Sequence, residues 1–336
     1  MIFIGDISIK SVLITGGAGF VGRHFAEFFL KKKYQVDVVD NIAKFTGGID
    51  PNKYIWPLYN PLDFKNFKFE NLDCREWFKQ NQNKYYDYVF HLAAMVGGRE
   101  LIENNPIAVS DDLAIDSSFW QWAVISKPKK VVCFSSSACY PIKFQKFNNY
   151  KLLSEEIINL KNDIGAPDLT YGWAKLTCEY LAKIAYEKYG IQSVIYRPFS
   201  GYGEDQDLNY PFPSICKRVL KNQNEKEIKV WGSGKQMRDF IHIDDCVNGV
   251  ISTMDKIYNA EPLNLSTGKY TSFIEFVTMA CDILGYNPNV IGSSLKPEGV
   301  FARGGDIKKQ SAYGFKAKID FKNGIELALN KFAKQM

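Results

Sequence analysis

The stretch that most limits what this chain can fold into is Ser11-Val-Leu-Ile-Thr-Gly-Gly-Ala-Gly-Phe-Val-Gly22. A β-favouring run, Val12–Thr15, enters glycines spaced G-x-x-G-x-x-G at Gly16, Gly19 and Gly22. The apolar positions then switch to helical spacing at Phe20, Val21, Phe25 and Phe28–Leu30. Gln35-Val-Asp-Val-Val-Asp40 follows as a second strand closed by an acid. Strand, glycine turn, helix, strand and an acid about twenty residues after the turn make the βαβ unit that takes a dinucleotide. Glycines let the backbone approach a pyrophosphate, and the first N–H groups of the helix, around Phe20 and Val21, point at its charge. A glycine triplet alone also fits a plain tight turn; the strand before it and Asp40 after it carry the cofactor reading. Asp40 is expected to accept from both hydroxyls of the adenosine ribose and to repel a 2′-phosphate, which favours NAD over NADP.

Alternation continues downstream. Phe67–Leu72 reads as a strand, Arg75–Gln80 as a short helix, Tyr86–His91 as a strand and Pro106–Ile125 as a helix. Lys130–Ser135 reads as a buried strand, Asp168–Lys188 as a long helix and Gln192–Tyr196 as a further strand. Strands and helices in turn imply an α/β fold with a doubly wound parallel sheet, Rossmann-like, over residues 11–200. After Pro198 the texture changes: glycines, aromatics and prolines crowd Gly201–Pro213 and short elements follow. Residues 201–336 are therefore expected to form a smaller part that closes over the carboxyl edge of the sheet and mainly binds substrate. The long unpatterned loop Ile42–Phe64 is a candidate for partner or substrate contact.

Composition removes several classes. Forty-two Lys plus Arg against 37 Asp plus Glu give +5 over 336 residues, too weak a bias to argue for nucleic acid or a membrane surface. No apolar run reaches the length of a membrane span. Residues 1–10 lack the basic-then-apolar pattern of a secretory signal and read as a leader, or as an added edge strand. The seven cysteines include no C-x-x-C pair and the three histidines are far apart, so no metal site by local spacing is expected. Scattered thiols of this kind suit the reduced interior of a cytoplasmic protein.

Two further constellations carry chemistry. In Tyr171-Gly-Trp-Ala-Lys175 the phenol and the ammonium fall on one helix face at i and i+4. A nearby cation and a positively charged nicotinamide favour the phenolate and make the tyrosine a base near neutral pH. With nineteen tyrosines in the chain, such a pair also arises on an ordinary amphipathic helix. Phe134-Ser-Ser-Ser-Ala-Cys-Tyr-Pro141 sits at the carboxyl end of a central strand, where open α/β sheets bind ligands. Its hydroxyls could orient a substrate alcohol or merely cap the strand end.

Glycine turn, serine cluster and Tyr-x-x-x-Lys in this order resemble the extended short-chain dehydrogenase/reductases, the NAD-dependent epimerase/dehydratase group acting on nucleotide sugars. The resemblance runs from about Ser11 to Phe332. Further marks are Asp40-Asn41, Asp73, His91-Leu-Ala-Ala94, Tyr196-Arg-Pro198, Gly232-Ser-Gly…Arg238-Asp-Phe and Pro297-Glu-Gly…Arg303…Asp306. It implies Ser136, Tyr171 and Lys175 as the catalytic set. Asp73 and Cys74 would flank the adenine. Leu92, Ala93, Ala94, Asn41 and Pro198 would line the cofactor, which Tyr171 and Lys175 also contact. Ser136, Ser137, Ser200, Arg238 and Arg303 would meet the substrate, the arginines as bidentate partners of its diphosphate. The bland reading of either arginine is a surface charge. A GDP- or UDP-linked sugar, a homodimer and a role in polysaccharide biosynthesis are likewise implied.

The residues after Ser136 separate the family's reactions. The 4,6-dehydratases carry an acid pair where Ser137 and Ala138 stand, and GDP-sugar 3,5-epimerases and fucose synthases carry a catalytic Cys where Ala138 stands. What remains resembles the Ser-Ser-Ala-x-Tyr loop of 4-epimerases, acting through a transient 4-keto sugar. Three segments, at Val96-Gly97-Gly98, Val230-Trp-Gly-Ser-Gly and Pro297-Glu-Gly-Val, are similar to the GDP-sugar branch. With a one-residue deletion before Tyr140, Cys139 would be the catalytic thiol of a 3,5-epimerase. Pro141 replaces a usual Gly, and Ser200 a usual Asn. A C4 oxidoreductase and a non-catalytic NAD-binding sensor are the other readings.

Overall fold

The computed structural model describes residues 9–44, 46–95, 103–223, 225–293 and 299–334. Residues 1–8 of the expected leader, the Val96-Gly97-Gly98 segment, and Pro297 and Glu298 lie outside them. Seven strands form one parallel sheet. In chain order the first half supplies β1 (Ser11–Thr15), α1 (Phe20–Lys31), β2 (Gln35–Asp40), β3 (Phe67–Asn71), α2 (Cys74–Gln80) and β4 (Tyr88–His91). Then come α3 (Asp111–Ser126), β5 (Lys130–Phe134), α4 (Leu169–Tyr189) and β6 (Ser193–Pro198). Beyond them lie α5 (Pro211–Lys221), β7 (Glu227–Trp231), α6 (Ile243–Thr253), β8 (Asn259–Leu265), α7 (Phe273–Ile283), β9 (Asn289–Ser293) and α8 (Phe321–Ala333). The sheet order is β8-β6-β5-β4-β1-β2-β3, so the winding reverses between β1 and β4. Such a switch point opens a crevice at the carboxyl ends of the strands.

Both sheet faces are covered, which is why β1 and β5 read as continuous apolar runs rather than alternating ones. One face packs α1 and α6 around Phe25, Phe29, Val38 and Phe90. The other packs α2, α3 and α4 around Trp77, Phe78, Phe119 and Val131. The loop after β2 belongs to the first face: buried Trp56 donates its indole N–H to the Ile49 carbonyl, and the Tyr59 hydroxyl donates to that of Arg23. A further core joins β7, α5, α7 and α8 around Phe212, Phe240 and Phe276.

Beyond residue 200 the chain returns to the sheet: β8 pairs with β6, and α6 packs on α1. β8 occupies the edge that β6 would otherwise leave open, with its Leu263 and Leu265 buried. The helix expected over Pro106–Ile125 is broken into a single turn, Pro106–Val109, and α3. At the break, the Ser110 hydroxyl donates to the Ile107 carbonyl at 2.6 Å, a local bond that competes with the helix ladder. The break sets Asp111 and Asp112 in the first turn of α3.

Candidate active site

One cavity runs along the carboxyl edge of the sheet. Its floor is the glycine turn: Gly16, Gly19, Phe20, Val21 and Gly22 all line it. Gly16 has φ +68°, and a Cβ there would meet the Ala93 backbone nitrogen at 2.7 Å. At Gly22 a Cβ would meet the Gly17 Cα at 2.5 Å, so helix and turn touch only because residue 22 has no side chain. Gly19 caps α1 without a side chain, and the first turn carries no acid, so its N–H groups face the cavity without competition. This is a cradle for a phosphate. Asp40 forms the wall beyond it, its Oδ2 and Oδ1 taking the N–H groups of Ala18 and Ile42 at 3.0 and 2.9 Å. Each oxygen keeps a second lone pair for a ribose hydroxyl. Burial raises the Asp40 pKa, against the pull of those two N–H groups and Arg23.

Asn41, Asp73, Cys74, Leu92, Ala93, Ala94, Pro198 and Ser200 line the same cavity. Asp73 caps α2 and binds Arg75, whose guanidinium reaches on to Asp111 at 2.6 Å. That bond to Arg75 pulls the Asp73 carboxyl below its ordinary range. Arg75 and Asp111 also line the cavity, although neither carries a sequence motif.

Ser136 and Ser137 stand in the wall at the end of β5. Ser136 Oγ accepts the Ala138 N–H at 3.1 Å, turning the chain into a single helical turn, and the serine lies close enough to the Tyr171 phenol to pull its pKa down. The turn is pressed against α4. The Asp168 N–H donates to the Ala138 carbonyl at 2.9 Å, and a Cβ at Gly172 would meet that carbonyl oxygen at 2.4 Å. Gly172, between Tyr171 and Lys175, thus allows the approach that brings the turn of Ser136 against the helix of Tyr171. Beneath the turn, Arg197 on β6 holds Glu179 on α4 by two bonds, 2.8 and 2.5 Å, and the Ser135 hydroxyl donates to the same carboxylate.

Lys175 is buried behind Tyr171, its ammonium 5.7 Å from the ring centre and 3.4 Å from Asp112 Oδ2. Burial alone would push the ammonium pKa down, but Asp112 and Asp116 outweigh it and hold the lysine charged. The phenol goes the other way from the sequence expectation. Burial raises the Tyr171 pKa, and the opposing pull of Lys175 and Ser136 does not cancel it. Tyr210 lines the cavity near Tyr171 and is also pushed up by burial.

Arg238 and Arg303 are partners in register on two adjacent parallel two-residue strands, Met237–Arg238 and Ala302–Arg303. Both line the cavity. Arg303 is already engaged: Nε donates to Gln145 Oε1 at 2.6 Å and Nη2 to Asp168 Oδ2 at 2.7 Å. Cys139 is turned away, wholly buried with Tyr140, Leu153 and Phe199, and burial pushes its thiol up to about 12. All seven cysteines are buried free thiols. Among the described residues no helix is long and apolar enough to cross a membrane.

A glycine cradle at the switch point beside a Ser/Tyr/Lys set defines a nucleotide-dependent enzyme of the short-chain dehydrogenase/reductase class. The chain belongs to the NAD-dependent epimerase/dehydratase family, whose profile matches residues 12–266. It is similar to a UDP-glucuronate 4-epimerase of Thermodesulfobacterium geofontis, 30% identical and covering 95% of this chain and 94% of that one. A UDP-N-acetyl-alpha-D-glucosaminuronate decarboxylase of Bacillus cytotoxicus is also 30% identical, over 77% of this chain and 75% of that one. Among solved structures, a UDP-N-acetylglucosamine 4-epimerase from Methanobrevibacter ruminantium superposes with TM-score 0.80. It is 25% identical and covers 98% of this chain and 100% of its own.

Proposed function

We propose that the protein is a nucleotide-sugar epimerase that inverts C4 of a nucleoside-diphosphate sugar through a transient 4-keto sugar. The observation that carries this reading is Ser136 set beside Tyr171 by a turn docked on α4 through the Asp168 N–H to Ala138 carbonyl bond, a turn whose next residues offer no second proton-transfer group. Ser137 is neutral, Ala138 is inert, and the Cys139 thiol is buried away from the cavity. NAD, when bound, supplies the hydride acceptor and donor. Tyr171 takes the proton of the sugar hydroxyl and returns it, and Ser136 holds the reacting oxygen. Lys175 supplies the positive charge beneath the phenol. Arg238 and Arg303, side by side, suit a diphosphate. A single base serves oxidation and reduction of one hydroxyl carbon, but exchange of carbon-bound protons on both sugar faces needs more.

The test is to incubate the NAD-loaded chain in deuterated water with UDP-glucose, UDP-glucuronate, UDP-N-acetylglucosamine and GDP-mannose and to follow products by proton NMR. The expected result is the C4 epimer of at least one sugar, without carbon-bound deuterium or accumulating NADH, and unchanged in Cys139→Ala. Deuterium at C3 or C5 would replace the reading with 3,5-epimerisation. Stoichiometric NADH would indicate a dehydrogenase, and carbon dioxide from the glucuronate a decarboxylase. NAD binding without turnover of any sugar would leave the sensor reading.

We infer further that two copies pair through α3 and α4. These helices lie side by side and expose Leu113, Ile125, Trp173 and Tyr180.

A further inference from the structure

Behind Lys175 lies a buried acidic pair that the proposed reaction does not use. Asp112 and Asp116 stand one turn apart on α3, on the same helix face, and both are buried. Each leaves its Oδ2 without a hydrogen-bond partner. Asp112 Oδ2 lies 3.4 Å from Lys175 Nζ, and its other oxygen accepts the N–H of Met95, which lines the cavity. Asp116 Oδ1 lies 3.0 Å from His91 Nε2 on β4, and His91 Nδ1 meets the Thr15 hydroxyl at 2.8 Å. A carboxylate removed from water is costly unless a cation or several donors meet it. Lys175 is the cation that meets Asp112, so the two form one buried unit. The first turn of α3 adds to this, because a helix N-terminus favours negative charge.

The charges facing Lys175 come from two elements: Asp112 and Asp116 from α3, and Tyr171 with the Cys178 thiol from its own helix. His91 joins from β4 through Asp116. A lone lysine under Tyr171 would favour the phenolate at all times. Two carboxylates behind that lysine oppose its field at the phenol.

We propose that Asp112 is a positioning residue: it anchors the Lys175 ammonium from the side of α3 and, with Asp116, offsets the positive charge that Lys175 presents to Tyr171. The inference rests on the reading of Tyr171 as the base. Burial is the larger cause of the raised Tyr171 pKa, and Asp112 and Asp116 add to it against the pull of the charged lysine one turn away. The acidic pair makes the base conditional on charge brought into the cavity.

The test compares the NAD-loaded wild type with Asp112→Asn, which keeps the side-chain shape and removes the charge. The acid limb of kcat/KM against pH, for whichever nucleotide sugar is turned over, should move to lower pH by about one unit, the usual size of a shift from a neighbouring charge. The ultraviolet phenolate band of Tyr171, isolated by subtracting the corresponding Tyr171→Phe protein, should move with it, and this arm requires no turnover. An unmoved or rising limb together with an unmoved band would overturn the proposal, since a purely structural aspartate would change stability and leave both in place. Should Asp112→Asn not fold, nitrogen-15 lysine NMR of the unmodified chain decides. Lys175 should stay an ammonium beyond about pH 11, and titration at or below the ordinary lysine value would overturn the anchoring. Near-full turnover in Tyr171→Phe would defeat the base assignment alone, because the phenolate band still reads the charge offset.

Discussion

The Tyr171 phenol is balanced between its burial and two neighbours, Lys175 and Ser136, that favour its charged form. Removing the hydroxyl while keeping the ring should leave folding and NAD affinity intact. Turnover of Tyr171→Phe should fall by about 10²–10⁴, the worth of a positioned acid–base group, measured at saturating nucleotide sugar. Asp40 makes a second single-residue choice. Two backbone N–H groups fix its carboxylate in the cavity wall, so a 2′-phosphate would meet fixed negative charge. NAD should bind at least tenfold tighter than NADP, about 1.4 kcal/mol, in titrations of the purified chain. Asp40→Ala should narrow that gap, mainly by improving NADP.

At the scale of elements, the site is a contact between the turn after β5 and the first turn of α4. The Gly172 Cα faces the Ala138 carbonyl, and no side chain fits between them. Gly172→Ala should push α4 outward and move Tyr171 away from Ser136. Overpacking of this kind costs about 1–3 kcal/mol, read as a lowered urea midpoint. The loss of turnover should exceed what that destabilisation explains, since the substitution moves the proposed base itself. Beneath the contact, the buried Arg197–Glu179 pair ties α4 to β6 and so fixes the depth at which Tyr171 sits. The spacing of Tyr171 and Lys175 was legible from the helix period. Glu179 and Arg197 were not, because an ion pair between a helix and a strand leaves no local pattern. Arg75 and Asp111 escaped for the same reason: they meet across 36 positions of chain.

Across the whole molecule, the segment after β6 is tied back to α1. Asp205 accepts from Arg23 at 3.1 Å and pairs with His24 at 2.9 Å, all three groups being buried. Burial would raise the Asp205 pKa, but His24 and Arg23 outweigh it and hold it below the ordinary carboxylate value. A carboxyl whose pKa is depressed by folding contributes stability that is full above its unfolded pKa, near ~3.9, and is lost as pH falls through the folded value. Wild type should therefore lose stability in acid, while Asp205→Asn should be less stable at neutral pH and lose less on acidification. Urea midpoints at about pH 6 and in the acid range below ~3.9 measure both. The proposed dimer has its own check. Trp173→Glu puts a charge into the exposed face of α4 and should yield monomers in analytical ultracentrifugation, with the α/β spectrum of the folded chain retained. A variant that stays dimeric would place the interface elsewhere.

The sequence by itself determined the βαβ start and the parallel sheet through β6, and it brought Ser136, Tyr171 and Lys175 forward as the proposed catalytic set. Those features rest on periods and spacings shorter than a few turns, which local sterics and solvent exposure enforce. Only the tertiary structure decided that β8 returns to the sheet, that Arg238 stands beside Arg303, and that Cys139 faces the core rather than the cavity. It also decided that an acidic pair lies behind Lys175. Each of these depends on which distant segments share a face, and the burial and charge that then shift a pKa are set by neighbours the chain order does not name.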